Sequence, residues 1–548
     1  MTTRSLWAWG TIDRFPDDAT RRRLAGMARM LTGGAEPALL PLPRDEDARV
    51  PAARVAAPET LAALASATER DRALHAHGRA YPDLVRGFRG DFAAAPDLVL
   101  RPRDAAEVEA CLDWCSRARV ACVPFGGGTS VVGGVEVAAE RRGDFAGVAA
   151  LDLERLDGLH EVDATSLAVR VGAGILGPAL ERALAAHQLT LRHYPQSFEH
   201  STLGGWIATR AGGHFATGPT HIDDFVEALV AITPRGRVET RRLPASGAGP
   251  APERLWIGSE GALGVITEAW MRVQRRPRFR AAASVKFRTT HDGARAARAL
   301  AQSGLRPANC RLLDPAECML HQVALDGTAV LLVGFESADH DQAPWLARAL
   351  ELARDHGGTI ASGPTITDDG PGGAAGTAAG PPGAAAGGPA GEAGTWKRAF
   401  VDAPYLQSAL VSIGVMADTF ETACTWDRFE AFHAAVTGAA QDALRRTVGG
   451  GVVACRFTHV YPDGPAPYYT FLGPARVGDE LAAWREVKTA VSEALHAAGG
   501  TITHHHAVGR THRPWYDRER PPLFGEVLRA AKRALDPAGV LNPGALID

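Results

Sequence analysis

PFGGGTSVVGG, residues 124–134, follows directly on the apolar run VACVPF (120–125). The run reads as a strand that ends in glycines. Gly126, Gly127 and Gly128 permit positive φ and close approach of other groups to the backbone, and Thr129 and Ser130 add hydroxyls. Successive main-chain N–H groups in such a turn form an anion-binding nest suited to a pyrophosphate. No Gly-Lys-Ser/Thr follows, so this is not the phosphate loop of the P-loop NTPases. A plain tight turn would use the same residues, and what surrounds the loop decides between the two.

Outward from the loop, short strands and helices alternate. DLVLRP reads as a strand, and DAAEVEACLDWCSRAR as a helix with Asp104 at its N-cap. GVAALDL and LAVRVGAG read as strands and GPALERALAAHQ as a helix. The alternation runs to about Pro277 and marks an α/β or α+β domain, of which the α+β form is the one the resemblance described below implies. Within it, Gly172, Gly174 and Gly177 match the dinucleotide fingerprint in form. The acidic residue expected about twenty positions on is missing, because the chain there reads LTLRHYPQ. A strand-to-helix turn that needs small residues is the better reading.

Three further stretches share the character of the first loop. QSFEHSTLGGW (196–206) is rich in hydroxyls and ends in paired glycines, TRAGG follows at 209–213, and GSEGALGVITEAWMRV precedes a strand. In this order and at these intervals the chain resembles flavoproteins of the PCMH/vanillyl-alcohol-oxidase type, which carry PFGGGTS, then ST-x-GG, then EG-x-LG-x-I. Within that group it is most similar to the alkyldihydroxyacetonephosphate synthase (alkylglycerone-phosphate synthase) family. WAWG near the start, TLGGWIATRAGG, DDFVEALVAITPRG, ANCRLLD, DTFETACTWDR, CRFTHVYPDG and the triple histidine of GTITHHH all fit that family's pattern.

The resemblance implies an FAD-binding domain over residues 95–277 and a mixed cap domain over 278–480. A helical region precedes them at 1–94, and a C-terminal segment follows at 481–548. RRRLAGMARML and TLAALASATERDRALHAHG supply helix-period stretches in the first region. Asp368 to Gly394 is almost entirely Gly, Ala and Pro and reads as a disordered loop inside the cap.

By the same resemblance, FAD is held non-covalently. Its site is Pro124, Phe125, Gly126, Gly127, Gly128, Thr129 and Ser130, with Gln196, Ser197, Phe198, Glu199, His200, Ser201 and Thr202. Thr209, Arg210, Ala211 and Gly212 join them, as do Glu260, Gly261, Ala262, Leu263, Gly264, Val265 and Ile266. Gln196 stands where the family usually has Asp. The implied reaction exchanges the acyl group of acyl-dihydroxyacetone phosphate for a fatty alcohol through a flavin N5 adduct, without net redox. It needs a proton acceptor and a donor near the flavin, a role that suits imidazole. His504, His505 and His506 are the candidates, with Tyr468 in the position of a family tyrosine and Tyr469 the less favoured register. On an extended segment His504 and His506 point one way and His505 the other.

Arg311 matches a family arginine that holds the substrate phosphate, since the guanidinium fork suits that group. The family's second arginine is replaced by Gln407 in PYLQSAL, which weakens the case for a phosphorylated substrate. Arg398 is the neighbouring basic residue that could compensate.

Two other readings stay open. One is an FAD-linked oxidase or dehydrogenase of a 2-hydroxy acid or alcohol. Relatives of that kind carry a metal site of which His459 and the following PDG supply only part, so no metal is expected. The other is a flavin-binding protein without catalysis.

A net charge of −3 with interspersed signs gives no pull toward nucleic acid. The start, MTTRSLWAWGTIDRF, lacks the apolar core of a secretion signal, and no apolar run approaches the ~20 residues that cross a bilayer. Seven dispersed cysteines, with Cys111, Cys115 and Cys122 read as packing residues, suit a reduced cytoplasmic protein. A small-molecule or lipid-like substrate, peripheral membrane contact and a homodimer are all compatible with this reading.

Overall fold

The computed structural model describes residues 4–32, 39–370 and 392–548, with side chains left out at 392–401. Most of the Gly/Ala/Pro stretch expected to be a loop lies outside the described residues. On its far side the helix Glu392–Val411 already begins within the range assigned to that loop.

The glycine loop ends the strand Val120–Phe125, the edge strand of a four-stranded sheet. Its neighbours are Gly147–Asp152 and Leu98–Leu100, all three running parallel, with Ala65–Ser66 antiparallel on the far edge. The parallel strands are continuous apolar runs because both their faces are covered. The helix Ala105–Ala118 covers one face, and Asp104 caps it by accepting the Glu107 amide at 2.8 Å. Cys111, Cys115 and Cys122 are packed in this core, and all seven cysteines are free.

A five-stranded antiparallel sheet follows, in the order 159–163, 168–172, 265–272, 226–233 and 236–239. The turn after Ala168–Gly172 carries the fingerprint-like glycines, and packing explains them. A Cβ on Gly172 would sit 2.1 Å from the Leu156 carbonyl oxygen, and one on Gly174 1.8 Å from that of Leu153.

The second half of the chain builds a seven-stranded, wholly antiparallel sheet. Its order is Thr359–Asp368, Phe279–Phe287, Ala329–Ser337, Asn309–Leu313, Val452–Val460, Pro465–Pro474 and Val415–Glu421. The helices Phe429–Val448 and Glu480–Ala497 pack on one face of its last strands, against Phe420, Tyr469 and Phe471. The other face looks back toward the glycine loop. The chain then returns to the first half, where the Cys122 amide donates to the Val540 carbonyl and the Asn542 amide to that of Cys122. The architecture is the α+β one expected. No described helix is long and apolar enough to cross a membrane.

The first ninety residues are less helical than their periodicity predicts. Asp18–Thr32 is a helix, but TLAALASATERDRALHAHG is broken. Ala65–Ser66 is recruited as a strand against Val99 and Leu100, and Thr68 then caps a new short helix, Glu69–Leu74. Residues 40–58 carry four prolines and form no α-helix, since proline removes the donors a helix needs.

Candidate active site

A cavity lies between the glycine loop and the open face of the seven-stranded sheet. It is open to solvent at its mouth, and it is lined by residues of both halves of the chain. Pro124 through Ser130 form one wall, together with Gln196, Ser197, Ser201, Thr202, Thr209, Ala211 and Gly212. Glu260, Gly261, Gly264, Val265 and Ile266 line it too. Among the described residues the amides of Gly127, Gly128, Thr129, Ser130 and Val131 donate to no protein acceptor. Neighbouring backbone donors with nothing to bind, at the wall of a large cavity, await an anionic ligand.

Several residues expected in the cofactor site do not reach the cavity. Phe198 is buried and packs on Trp206, and Ala262 and Leu263 are core residues. Glu199 pairs with Arg14 and accepts the Tyr405 hydroxyl, while His200 bonds the same hydroxyl at 2.9 Å. Arg210, left-handed at the helix end (φ 53°), turns away to Asp223. A loop that alternates between cavity and core sends only part of its side chains inward.

Glu260 is held at the base of the wall. Its carboxylate accepts the amides of Val508 at 2.8 Å and Gly509 at 2.7 Å. Burial pushes the carboxyl up to about 7, against the pull of those amides.

The opposite wall follows from strand register. Glu421 lies opposite Tyr468, and Tyr468 opposite Arg456. Directly paired residues share a face, and so do alternate residues along each strand. Ala417 and Thr419, Tyr468, Thr470 and Leu472, and Arg456 and Thr458 therefore all line the cavity. Tyr469 points the other way and stacks on Phe420, at 4.7 Å between ring centroids. The Arg456 guanidinium lies 3.9 Å from the Tyr468 ring centroid and pairs with buried Glu317 at 2.6 Å. Burial pushes the Tyr468 phenol up, with Arg456 opposing. The neutral hydroxyl donates to Thr419 Oγ1 at 3.1 Å.

The histidine segment is not extended, so the expected alternation fails. The amides of His504, His505 and His506 all donate to one carboxylate, that of Glu421, which curls the backbone into a turn. His505 and His506 reach the cavity together. His504 turns away, with Nε2 2.9 Å from the Tyr461 hydroxyl and Nδ1 3.0 Å from His505 Nδ1. Burial drives His504 and His506 well below the ordinary histidine value, so both rings are neutral at pH 7. His459, His504 and His505 bring one ligating atom each within 4.8 Å of one another. His459 Nε2 already bonds the Gly213 carbonyl at 3.0 Å, and the other two rings bond each other.

Arg311 lines the cavity, buried, with Nη2 donating to the His214 carbonyl at 3.0 Å. Gln407 lines it as well and donates to the Ala417 carbonyl at 3.2 Å. The Arg398 side chain lies outside the described residues. Beyond Gln407 the cavity continues as an apolar arm of Leu320, Leu406, Leu410, Ala417 and Leu472. These residues pack with Ala25 and Ala28 of the first helix.

Sequence reasoning missed Glu421, Arg456 and Trp9. Two-residue alternation around Tyr468 would have found Arg456 once the strands were paired. Trp9 lines the cavity with its indole nitrogen buried and without a partner among the described residues. Nothing in WAWG announces that.

A family model for the C-terminal domain of FAD-linked oxidases matches residues 276–546, and one for an FAD-binding domain matches residues 96–241. The chain belongs to the FAD-linked oxidase family. The alkyldihydroxyacetonephosphate synthase of Dictyostelium discoideum is 28% identical over 490 residues, covering 87% of this chain and 77% of that protein. The one from Caenorhabditis elegans is 29% identical over 515 residues, covering 87% and 80%. A solved alkyldihydroxyacetonephosphate synthase shares the fold, with a TM-score of 0.78 at 23% identity over 98% of both chains. In this FAD-linked oxidase the unsatisfied amides of Gly127–Val131 fit the cofactor's diphosphate.

Proposed function

We propose that this FAD-linked oxidase exchanges the acyl group of an acyl-dihydroxyacetone phosphate-like substrate for a fatty alcohol, with no net redox change. The observation that carries this reading is the continuity of the cavity. It runs from the free amides of the glycine loop, past His505, His506 and Tyr468, into the apolar arm.

In this reading the glycine loop holds FAD non-covalently, and FAD supplies the reversible covalent chemistry at the exchanged carbon. The protein handles protons and position. His506, neutral through burial, takes a proton at the reacting carbon, and His505 shares its carboxylate partner. Tyr468 donates a hydrogen bond toward the departing oxygen. Arg311 and Arg456 supply positive charge for the substrate's anionic group, and the apolar arm takes the chain and excludes water. Burying each chain methylene contributes about 0.8 kcal/mol, so a long chain supplies much of the binding.

The test mixes flavin-loaded protein, acyl-dihydroxyacetone phosphate and hexadecanol without oxygen. The expected result is one fatty acid released per ether product, with the flavin spectrum the same before and after. Absence of both products would contradict the reading. Gln407 favours a second reading, oxidation of a 2-hydroxy acid, because it leaves the cavity one guanidinium short of the family's phosphate grip. Bleaching of the flavin by such an acid would establish it.

A further inference from the structure

We propose that Glu421 is a positioning residue for the reaction, folding the histidine turn and holding the His505 and His506 rings toward the cavity. The inference rests on reading those two histidines as the proton-handling groups.

Glu421 is 1% exposed, yet among the described residues no lysine or arginine lies within ion-pair distance of it. A buried carboxylate is costly unless charge or hydrogen bonds compensate. Here the compensation comes from one short segment. The amides of His504, His505 and His506 donate at 2.7, 3.2 and 3.0 Å, and the Thr503 hydroxyl donates as well. Without the carboxylate the amides of His504 and His505 would have no acceptor and that of His506 only the Thr503 hydroxyl at 3.1 Å, since the segment belongs to no helix or strand. The same carboxylate reaches the rings, with His505 Nδ1 at 3.3 Å and His506 Nδ1 at 3.8 Å. At His505 the carboxylate places the proton on Nδ1 and leaves Nε2 as the acceptor, while His506 Nδ1 lies within ion-pair but not hydrogen-bond distance. The strand pairing that sets Glu421 opposite Tyr468 fixes both partners of the reaction from one edge of the sheet.

The other groups facing these rings are His459, His504 and Tyr468 beside His505, and Lys488 and His512 beside His506. None of these is an anion, so among the described residues Glu421 is the one negative group beside the two rings. Its removal therefore disfavours the protonated imidazoles.

The test uses flavin-loaded Glu421→Gln with ring-labelled histidine. NMR titration should show the His506 midpoint lowered further, because Glu421 is the group that raises it against burial. The acid limb of kcat/KM should shift the same way. kcat should fall by about a hundredfold, within the range for general acid–base groups, with KM and flavin content near wild type. Unchanged midpoints with unchanged kcat would overturn the assignment. If this variant does not fold, Thr503→Val removes one donor and keeps the charge. A fall in kcat of about tenfold at constant KM supports the assignment, and an unchanged kcat overturns it. The NMR arm needs no substrate, so it separates failure here from failure of the proposed reaction.

Discussion

Glu260 and Val508, 248 residues apart, share a 2.8 Å hydrogen bond that ties the segment after the histidine turn to the glycine-loop side of the cavity. Glu421 grips the same stretch from the sheet side, two residues earlier. The turn is thus clamped between two buried carboxylates from different halves of the chain.

The two clamps differ in charge, and pH reveals it. Burial raises the Glu260 carboxyl from 4.5 to about 7. Between those values the folded protein keeps a proton that the unfolded chain releases. This contribution to stability is complete below pH 4.5 and is lost as the pH rises through 7. Glu260→Gln has no such proton to lose. Melting temperatures of the two proteins from pH 5 to 8 should show the wild type falling relative to the variant. Parallel curves would show that Glu260 does not titrate there.

Tyr468 is the only phenol of the adjacent tyrosine pair that meets the cavity. Tyr468→Phe keeps the ring under Arg456 and removes the hydroxyl that bonds Thr419. The expected loss in kcat is about a hundredfold, with flavin content unchanged. Tyr469→Phe should leave kcat near wild type, because that ring lies on the far side of the sheet.

The apolar arm sets chain length. Leu410→Trp and Leu472→Trp add bulk to the arm, where both side chains pack with the first helix. Both should shift the preferred alcohol to a shorter chain while FAD affinity stays constant. Competition between dodecanol and hexadecanol reads this directly. An unchanged preference would place the chain elsewhere.

Gln407 faces the cavity where the similar family has arginine. Gln407→Arg restores a charged donor, worth about 1.5–3 kcal/mol to an anion. KM for a phosphorylated substrate should fall roughly ten- to a hundredfold. No change would argue that the natural substrate lacks the phosphate.

Local chemistry explains what the sequence made legible. The glycine loop, the buried parallel strands and the Asp104 cap depend on neighbours a few residues away, and each is where its motif placed it. The histidine turn depends on Glu421, over eighty residues earlier, and no spacing rule reaches across that gap. The alternation expected for three adjacent histidines assumed an extended backbone, and the carboxylate bends it instead. Residues 65–66 likewise left a helix-like period because a sheet edge offered them partners.

The proposed reaction requires FAD to be gripped by the glycine loop beside these histidines. Fluorescence titration of the apoprotein with FAD tests it, with Gly127→Ala as the control. A Cβ there would lie 1.5 Å from the His200 carbonyl oxygen, so the loop must shift and its amides lose their aim. The expected result is saturation at one FAD per chain, with affinity at least tenfold weaker, about 1.4 kcal/mol, in the variant. A wild-type protein that takes up no FAD, or a variant that binds it as tightly, would contradict it.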